Sequence, residues 1–351
     1  MTPGMAPLLS IFGLYGVGAL VALARRPQRQ VFAGALLGAA ALMLALAAAG
    51  QALYGWRSFG VMQLWSWILF VGGPLFFLGS ALLWRPGRGL CALAAALLVA
   101  AGVDGFLIEP HWLEISTVKL SSPKLTRPLR VALVADLQTD TPGDYERQAL
   151  ASMMAREPDL VLFAGDLVHL EPDAPYLGPR NVMWSILQEA GLDRASLGAY
   201  AVQGDVDRDE WWQTILENTG VSAQPGSRTL QLGEIALTLL SIDDSRAAKL
   251  PVTRTAAYHI VVGHSPDFAM AQPPADLLLA GHTHGGQVQL PFFGPLLTLT
   301  TVPRAWAAGH TALPWGGDLI VSRGVGMERR DAPRVRFLCR PEIVIIELSP
   351  G

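Results

Sequence analysis

Apolar and polar positions alternate on two different scales along this chain. Up to about residue 108 the apolar residues come in long stretches: Pro7 to Ala24, Val31 to Tyr54, Phe59 to Trp84 and Gly89 to Ile108. Each approaches or exceeds the roughly 18–20 residues a helix needs to cross a bilayer. None has a polar face to turn toward water, so the pattern predicts four transmembrane helices rather than a soluble bundle. Beyond residue 128 the runs shorten. Arg130–Ala135, Leu160–Ala164, Ala199–Gln203, His259–Val262 and Ala275–Ala280 are short apolar runs bounded by turn residues, as buried strands are. Helical spacing predicts Asp144–Arg156, Val182–Ala190 and Arg208–Asn218 between the earlier strands. The later strands are closely spaced and include Thr229–Leu232, Ile235–Leu240, Asp318–Ser322 and Ile343–Leu348. Alternation followed by packed strands predicts a mixed α/β layered sandwich. The Pro- and Ser-containing stretch between the two regions reads as a linker. The expected organisation is a membrane region over residues 1–108, a linker over 109–128 and an α/β domain over 129–351.

Charge sharpens this division. The first 103 residues carry Arg25, Arg26, Arg29, Arg57, Arg85 and Arg88 and no Asp, Glu or Lys. The rest of the chain carries all 29 acids and 20 of the 26 Lys and Arg. Such an acidic domain is a poor nucleic-acid binder outside any metal site, so no nucleic-acid partner is expected. Arg25, Arg26, Arg29, Arg85 and Arg88 fall in the first and third loops, against Arg57 in the second. The positive-inside rule then puts those two loops in the cytoplasm. Four spans would leave the domain on the periplasmic or extracellular side of the cell (inner) membrane. Lys119, Lys124, Arg127 and Arg130 oppose this slightly, and loss of the first span would reverse it. Cys91 and Cys339 do not read as a disulfide pair.

The candidate chemistry lies where the strands end. Asp136-Leu137-Gln138, Gly165-Asp166, Gly204-Asp205-Val206-Asp207, Gly263-His264 and Gly281-His282-Thr283-His284 each follow an apolar run. Any one of the first four alone is more often a turn, a cap or a core histidine, while for Gly281–Gln287 the two readings are balanced. Five at the same end of successive strands gather oxygen and nitrogen ligands along one sheet edge. Such ligands without thiolate suit Mn, Fe, Zn or Mg.

This series resembles that of the calcineurin-like metallophosphoesterases: D-x-H, GD, GNH-D/E, GH and GHTH, in that order. Pro158–Leu162, Gly285–Pro291, Ser322–Gly326 and Arg340–Glu347 look like the bacterial membrane-associated branch. The resemblance implies a four-layer α/β/β/α sandwich holding two divalent metal ions. It implies Asp166 as the bridging ligand, with Asp136, Gln138 and His284 completing one site and Asp205, His264 and His282 the other. A metal-bridging hydroxide would attack phosphorus. Gln138 stands where His is usual; its amide oxygen can still ligate, which favours Mn. Asp205 replaces Asn, and Val206 replaces the histidine that the resemblance assigns to the leaving group or the phosphoryl oxygens.

Valine cannot donate a proton. A phosphate leaving group departs as an anion, whereas an alkoxide needs a proton, so this change favours diphosphates or activated esters over alkyl phosphates. His169 is a candidate substitute acid, weighed against an exposed loop residue. Arg323 could clamp a phosphate, with a salt bridge as the alternative. Trp211, with Trp212 and Pro291–Pro295, could form an apolar lip that grips an acyl chain or touches membrane, weighed against ordinary packing. The expected activity is membrane-anchored hydrolysis of phosphodiester or diphosphate bonds in a phosphorylated, plausibly lipid-linked substrate. The alternatives are a phosphatase acting on a soluble metabolite and a catalytically silent metal-binding or scaffold protein.

Overall fold

A computed structural model describes residues 29–54, 59–171, 174–207, 211–247, 250 and 252–351. The chain divides into two compact units, one of residues 1–107 with Arg330–Pro333, the other of Ile108–Arg329 with Arg334–Gly351.

In the first unit the described apolar stretches are helical. Helix α1 is Arg29–Tyr54. Helix α2, Phe59–Trp67, widens into a π turn at Ile68–Gly72 and continues as α3, Gly73–Leu83. Pro74 explains the widening, because it has no N–H to continue the helical ladder. Helix α4, Arg88–Val103, ends in a second π turn at Asp104–Ile108. Phe70 and Phe106 from the two π turns meet edge to face at 5.3 Å. Three stretches have the length and composition of membrane spans: Leu36–Leu53, Phe59–Leu83 and Arg88–His111, with mean hydropathies of 1.9, 1.8 and 2.2. The fourth expected span, Pro7 to Ala24, lies outside the described residues.

The second unit is built on two mixed sheets. The first has the order β1 (Glu114–Ser122), β14 (Glu342–Pro350), β2 (Leu129–Val134), β3 (Leu160–Phe163), β4 (Ala199–Val202) and β5 (Val221–Gln224). All its neighbours are parallel except β14 and β2. The second runs β12 (Gly309–Ala312), β13 (Asp318–Val321), β9 (Leu277–Ala280), β8 (Tyr258–Val262), β7 (Ile235–Leu239) and β6 (Arg228–Leu232). A two-stranded hairpin, β10 (Gln289–Leu290) and β11 (Gly294–Pro295), stands apart from both.

Strand alternation gives each sheet two apolar faces. Leu133, Leu160, Leu162 and Val344 of the first sheet pack on Leu237, Ile260, Leu277 and Ile320 of the second, forming one buried core between the sheets. The opposite face of the first sheet, with Val134, Phe163 and Ile345, is covered by α5 (Asp144–Met154), α6 (Leu177–Ala190) and α7 (Trp211–Leu216) through Leu150, Met183 and Trp212. The opposite face of the second sheet is covered differently from the expected four-layer sandwich. Among the described residues its cover is Phe268 of a 3-10 turn, Leu240, Leu313 and the partly buried Trp306 and Trp315, alongside the four-residue α8 (Ile242–Ser245). The outer layer is therefore turns and loops more than helix.

Two of the differences from the sequence reading are the largest. The stretch 109–128 contains strand β1, paired along nine residues with β14. Its partner lies at the other end of the domain, so nothing local in the sequence reveals the pairing. Helix α6 begins at Leu177 instead of Val182, because Pro179 sits in its first turn, where a missing N–H costs nothing.

Candidate metal centre

The two sheets bring the C-terminal ends of β2, β3, β4, β8 and β9 to one edge, and the chain turns sharply as it leaves them. Asp136, Gln138, Asp166, His282 and His284 all have positive φ, from 32° to 69°. That conformation costs an L-residue roughly 1–2 kcal/mol. Its concentration on five of the seven expected ligands marks strain held by the surrounding fold. Glycines let the turns approach one another. A Cβ on Gly204 would lie 2.2 Å from the Asp166 backbone nitrogen, and one on Gly281 would lie 2.5 Å from Ala135 Cβ.

Five of the seven expected ligands converge in two groups sharing one histidine, and His284 belongs to neither. Asp136, Asp166 and His264 form a fully buried group, and Asp205, His264 and His282 a partly buried one; in each, the donor atoms lie within 4.8 Å of one another. His264 Nε2 is 3.4 Å from Asp166 Oδ2 and 3.9 Å from Asp205 Oδ1. His282 Nδ1 is 3.1 Å from Asp205 Oδ2, and its Nε2 is 3.3 Å from the Leu299 carbonyl. Asp136 accepts the His282 backbone N–H at 3.0 Å.

The donors fit a divalent cation. His264 Nδ1 donates to the Ala164 carbonyl at 2.7 Å, which fixes the proton there and leaves Nε2 as a lone pair facing the carboxylates. That Nε2 is buried without a hydrogen-bond partner, as are Gln138 Oε1 and both ring nitrogens of His284. Buried polar atoms without partners are costly in a dry interior, and a cation among them would relieve that cost.

Electrostatics point the same way. Burial raises the Asp136 carboxyl to about 7, partly offset by His282. Burial, then the Asp207 and Asp136 carboxylates, push Asp166 well above the usual range. Burial depresses His264 to about 4, reinforced by His282, and holds His284 well below its usual value, reinforced by Arg336. Burial also opposes the ionised form of Asp205, but its contacts with His282, His264 and Arg246 outweigh this and hold it below the usual carboxylate range. Burial likewise opposes the His282 cation, and Asp205 overrides it and raises that pKa. Crowded buried acids beside neutral imidazoles are the arrangement a divalent cation stabilises.

The remaining candidates fall out differently. His169 is buried, not an exposed loop residue; its Nδ1 is 3.1 Å from Gln138 Nε2 and 3.5 Å from Glu328 Oε1. Arg323 donates to Glu114 at 2.9 Å and Glu342 at 3.0 Å. The guanidinium offered for phosphate is thus engaged by two carboxylates, the salt-bridge alternative. The side chain of Trp211 lies outside the described residues, while Trp212 is packed in the core. Val206 is partly buried, and its N–H donates to Asp166 Oδ1 at 2.8 Å.

Three contributors escaped the sequence reading. The Asp207 carboxylate accepts the N–H groups of Asp166, Leu167 and Gly204. It stood in view within the third motif, but its role depends on two loops meeting. Arg246 ion-pairs with Asp205 from a loop that carries no motif. Arg329 donates to the Gln138 carbonyl at 2.8 Å and pins that turn.

No family profile matches the chain. It is 27% identical over 283 residues to YkuE, an uncharacterized metallophosphoesterase of Bacillus subtilis, covering 74% of this chain and 94% of that protein. It is 27% identical over 274 residues to the phosphodiesterase YaeI of Escherichia coli, covering 74% of this chain and 98% of that protein. A transmembrane protein with metallophosphoesterase domain from Danio rerio is 24% identical over 226 residues, covering 57% of this chain and 50% of that protein. The chain is thus a distant homologue of metallophosphoesterases, some of them membrane proteins.

Proposed function

We propose that this protein is a membrane-tethered, calcineurin-like phosphoesterase that uses two divalent metal ions to hydrolyse phosphodiester or diphosphate bonds. The observation that carries this reading is the pair of carboxylate–imidazole groups sharing His264. Asp136, Gln138, Asp166 and His284 would hold one ion, and Asp166, Asp205, His264 and His282 the other. With no thiolate among them, Mn is favoured, with Fe, Zn and Mg as alternatives. Bound there, the ions supply Lewis-acid charge for phosphoryl oxygens and make water a stronger nucleophile near neutral pH.

The protein's own residues do the rest. His264, its Nδ1 proton fixed on Ala164, presents an unprotonated Nε2 without rearrangement. Asp207 holds the Asp166 and Gly204 turns together through three N–H groups. Val206 offers the leaving group no proton, which supports diphosphates and activated esters over alkyl esters. His169 stands against Gln138, where it can orient that amide, and any proton donation by it would pass from this buried position.

The apolar helices support tethering, and the arginine distribution supports a periplasmic or extracellular catalytic unit in a multi-pass inner-membrane protein. A lipid-linked phosphorylated substrate suits such a tether. The direct test is metal analysis of the full-length protein with turnover of a diphosphate and an activated aryl phosphodiester in Mn. Stoichiometric metal with turnover lost in His264→Ala supports the reading. Metal binding with no turnover of either substrate would favour a silent metal-binding protein.

A further inference from the structure

The α/β unit carries an apolar strip that its metal centre does not use. The strip starts at Trp112, the residue after the apolar span Arg88–His111. Trp112 is exposed, and the Arg340 guanidinium stacks 4.3 Å from its ring. Two residues before Arg340, the exposed Leu338 donates its N–H to Glu109 at 2.7 Å. Phe337 then pairs with Val288 in a short parallel bridge, with two backbone bonds of 2.9 Å to Gln287 and Gln289. That bridge leads into the β10–β11 hairpin, where Leu290, Phe292, Phe293 and Leu296 are all exposed, Phe292 fully. Arg304 closes the strip, stacked 4.3 Å from the Phe293 ring.

Burying phenylalanine rings is favourable, so two presented side by side on a hairpin tip call for a partner. The chemistry of the strip identifies it. No charged residue occurs between His284 and Arg304, and the strip is bordered by Arg304 and by Arg340, which also lies 3.8 Å from Glu114. Aromatic rings beside arginines are the composition of a membrane interface, and arginine favours anionic headgroups. The strip also begins where an apolar span ends. One residue of chain reaches at most about 3.6 Å, so a helix ending at the membrane surface delivers Trp112 to headgroup level.

We propose that the strip from Trp112 through Leu338 to Phe292 and Phe293 seats on the lipid bilayer that the apolar helices span. The proposal rests on the membrane-tethered phosphoesterase reading and narrows its substrate class to phosphoesters whose apolar tail stays in the bilayer. The hairpin is joined to the histidine turn. A Cβ on Gly286 would lie 2.5 Å from Pro295, and Leu299 beyond the hairpin meets His282. A bilayer under Phe292 therefore lies beside the segment that carries His282 and His284.

The test uses the full-length protein, one copy per lipid nanodisc containing anionic phospholipid. An environment-sensitive fluorophore is attached at Phe292→Cys, with the unsubstituted protein as control, since Cys91 and Cys339 are buried. A probe at Gln231→Cys, on the exposed edge strand β6, reports water. Seating predicts that spin-labelled lipid quenches the 292 probe at least fivefold more than the 231 probe, and that iodide does the reverse. Iodide quenching at both positions, without lipid quenching at 292, overturns the proposal. So does protection at 292 only when discs hold two copies, which would assign the strip to self-association. Phe292→Asp/Phe293→Asp should lower turnover of a bilayer-embedded phosphoester at least tenfold while sparing a soluble aryl diester; equal loss on both overturns it. Lipid quenching without metal or turnover would instead leave the seating intact and defeat the phosphoesterase reading.

Discussion

Asp207 accepts the Asp166 backbone N–H at 2.6 Å while also binding those of Leu167 and Gly204. One carboxylate thereby fixes the turn after β3 against the turn after β4. Asp207→Ala would strand three buried donors, at a cost of about 3–5 kcal/mol. Asp207→Asn keeps one acceptor and should cost about 1–3 kcal/mol. Thermal unfolding of the full-length protein in detergent should rank the two in that order, with metal content falling in parallel.

The two glycines that permit close approach should be intolerant. Gly204→Ala places a methyl against the Asp166 backbone nitrogen, which cannot move aside as a side-chain tip could. Overpacking of this kind typically costs about 1–3 kcal/mol. The expected outcome is loss of most bound metal while the far-ultraviolet circular dichroism is retained. An alanine variant with full metal occupancy would contradict the packing described for this turn.

Metal-free protein should be destabilised by raising the pH from 6.5 to 8. Asp136, Asp166 and His282 all have folded pKa values above their unfolded ones. A raised pKa gives stability that is present below the unfolded value and lost as pH climbs through the folded one. Below 6.5 the depressed His264 and His284 act in the opposite sense, so the cleanest window is above it. Denaturation midpoints with chelator should fall across this window. With saturating Mn the fall should vanish, because bound cations favour the ionised carboxylates and neutral imidazole.

Substituting Val206→His should supply a donor where the resemblance to the calcineurin-like motif implies one. General acid catalysis typically contributes about 10²–10⁴-fold. A gain of at least tenfold in kcat/KM for an alkyl phosphodiester, with little change for a diphosphate, is the expected result. Equal gains on both substrates would show that leaving-group protonation is not what valine removes.

Arg323→Ala should affect stability more than substrate binding. Its guanidinium lies between Glu114 and Glu342, one of them buried, so removal leaves a carboxylate short of its partner. A cost of about 1–3 kcal/mol is expected, with KM for a diphosphate changed less than twofold. A large rise in KM at unchanged stability would return Arg323 to the phosphate-clamp role.

Much of the centre was legible because each ligand follows directly on a strand, and strands announce themselves by apolar runs ending in glycine or a turn. Asp166, His264 and His284 could be placed at one sheet edge on that ground alone. The burial of His169 was not legible, since a residue six positions past the end of a strand can turn toward water or away from it. Arg246 and Arg329 reach the centre from loops whose spacing carries no periodic signal. Strand β1 was hidden because a lone half-buried strand flanked by prolines looks like a linker until its partner is known. The outer cover of the second sheet was not legible for a related reason: turns and tryptophans seal an apolar face as well as helices do.

Strand β14 lies between β1 and β2, so Glu114 pairs with Glu342 while Leu348 returns to Leu129. The two earliest strands of the sheet therefore cannot meet each other and must wait for one made last. Until Glu342–Pro350 has left the ribosome, a growing chain holds β1 and the adjacent edge of β2 open, with Leu129 to Val134 already apolar. Pairing over such sequence separation is slow. The unfinished sheet is thus the stage of biogenesis at which the chain is most exposed to proteases and to pairing with another copy.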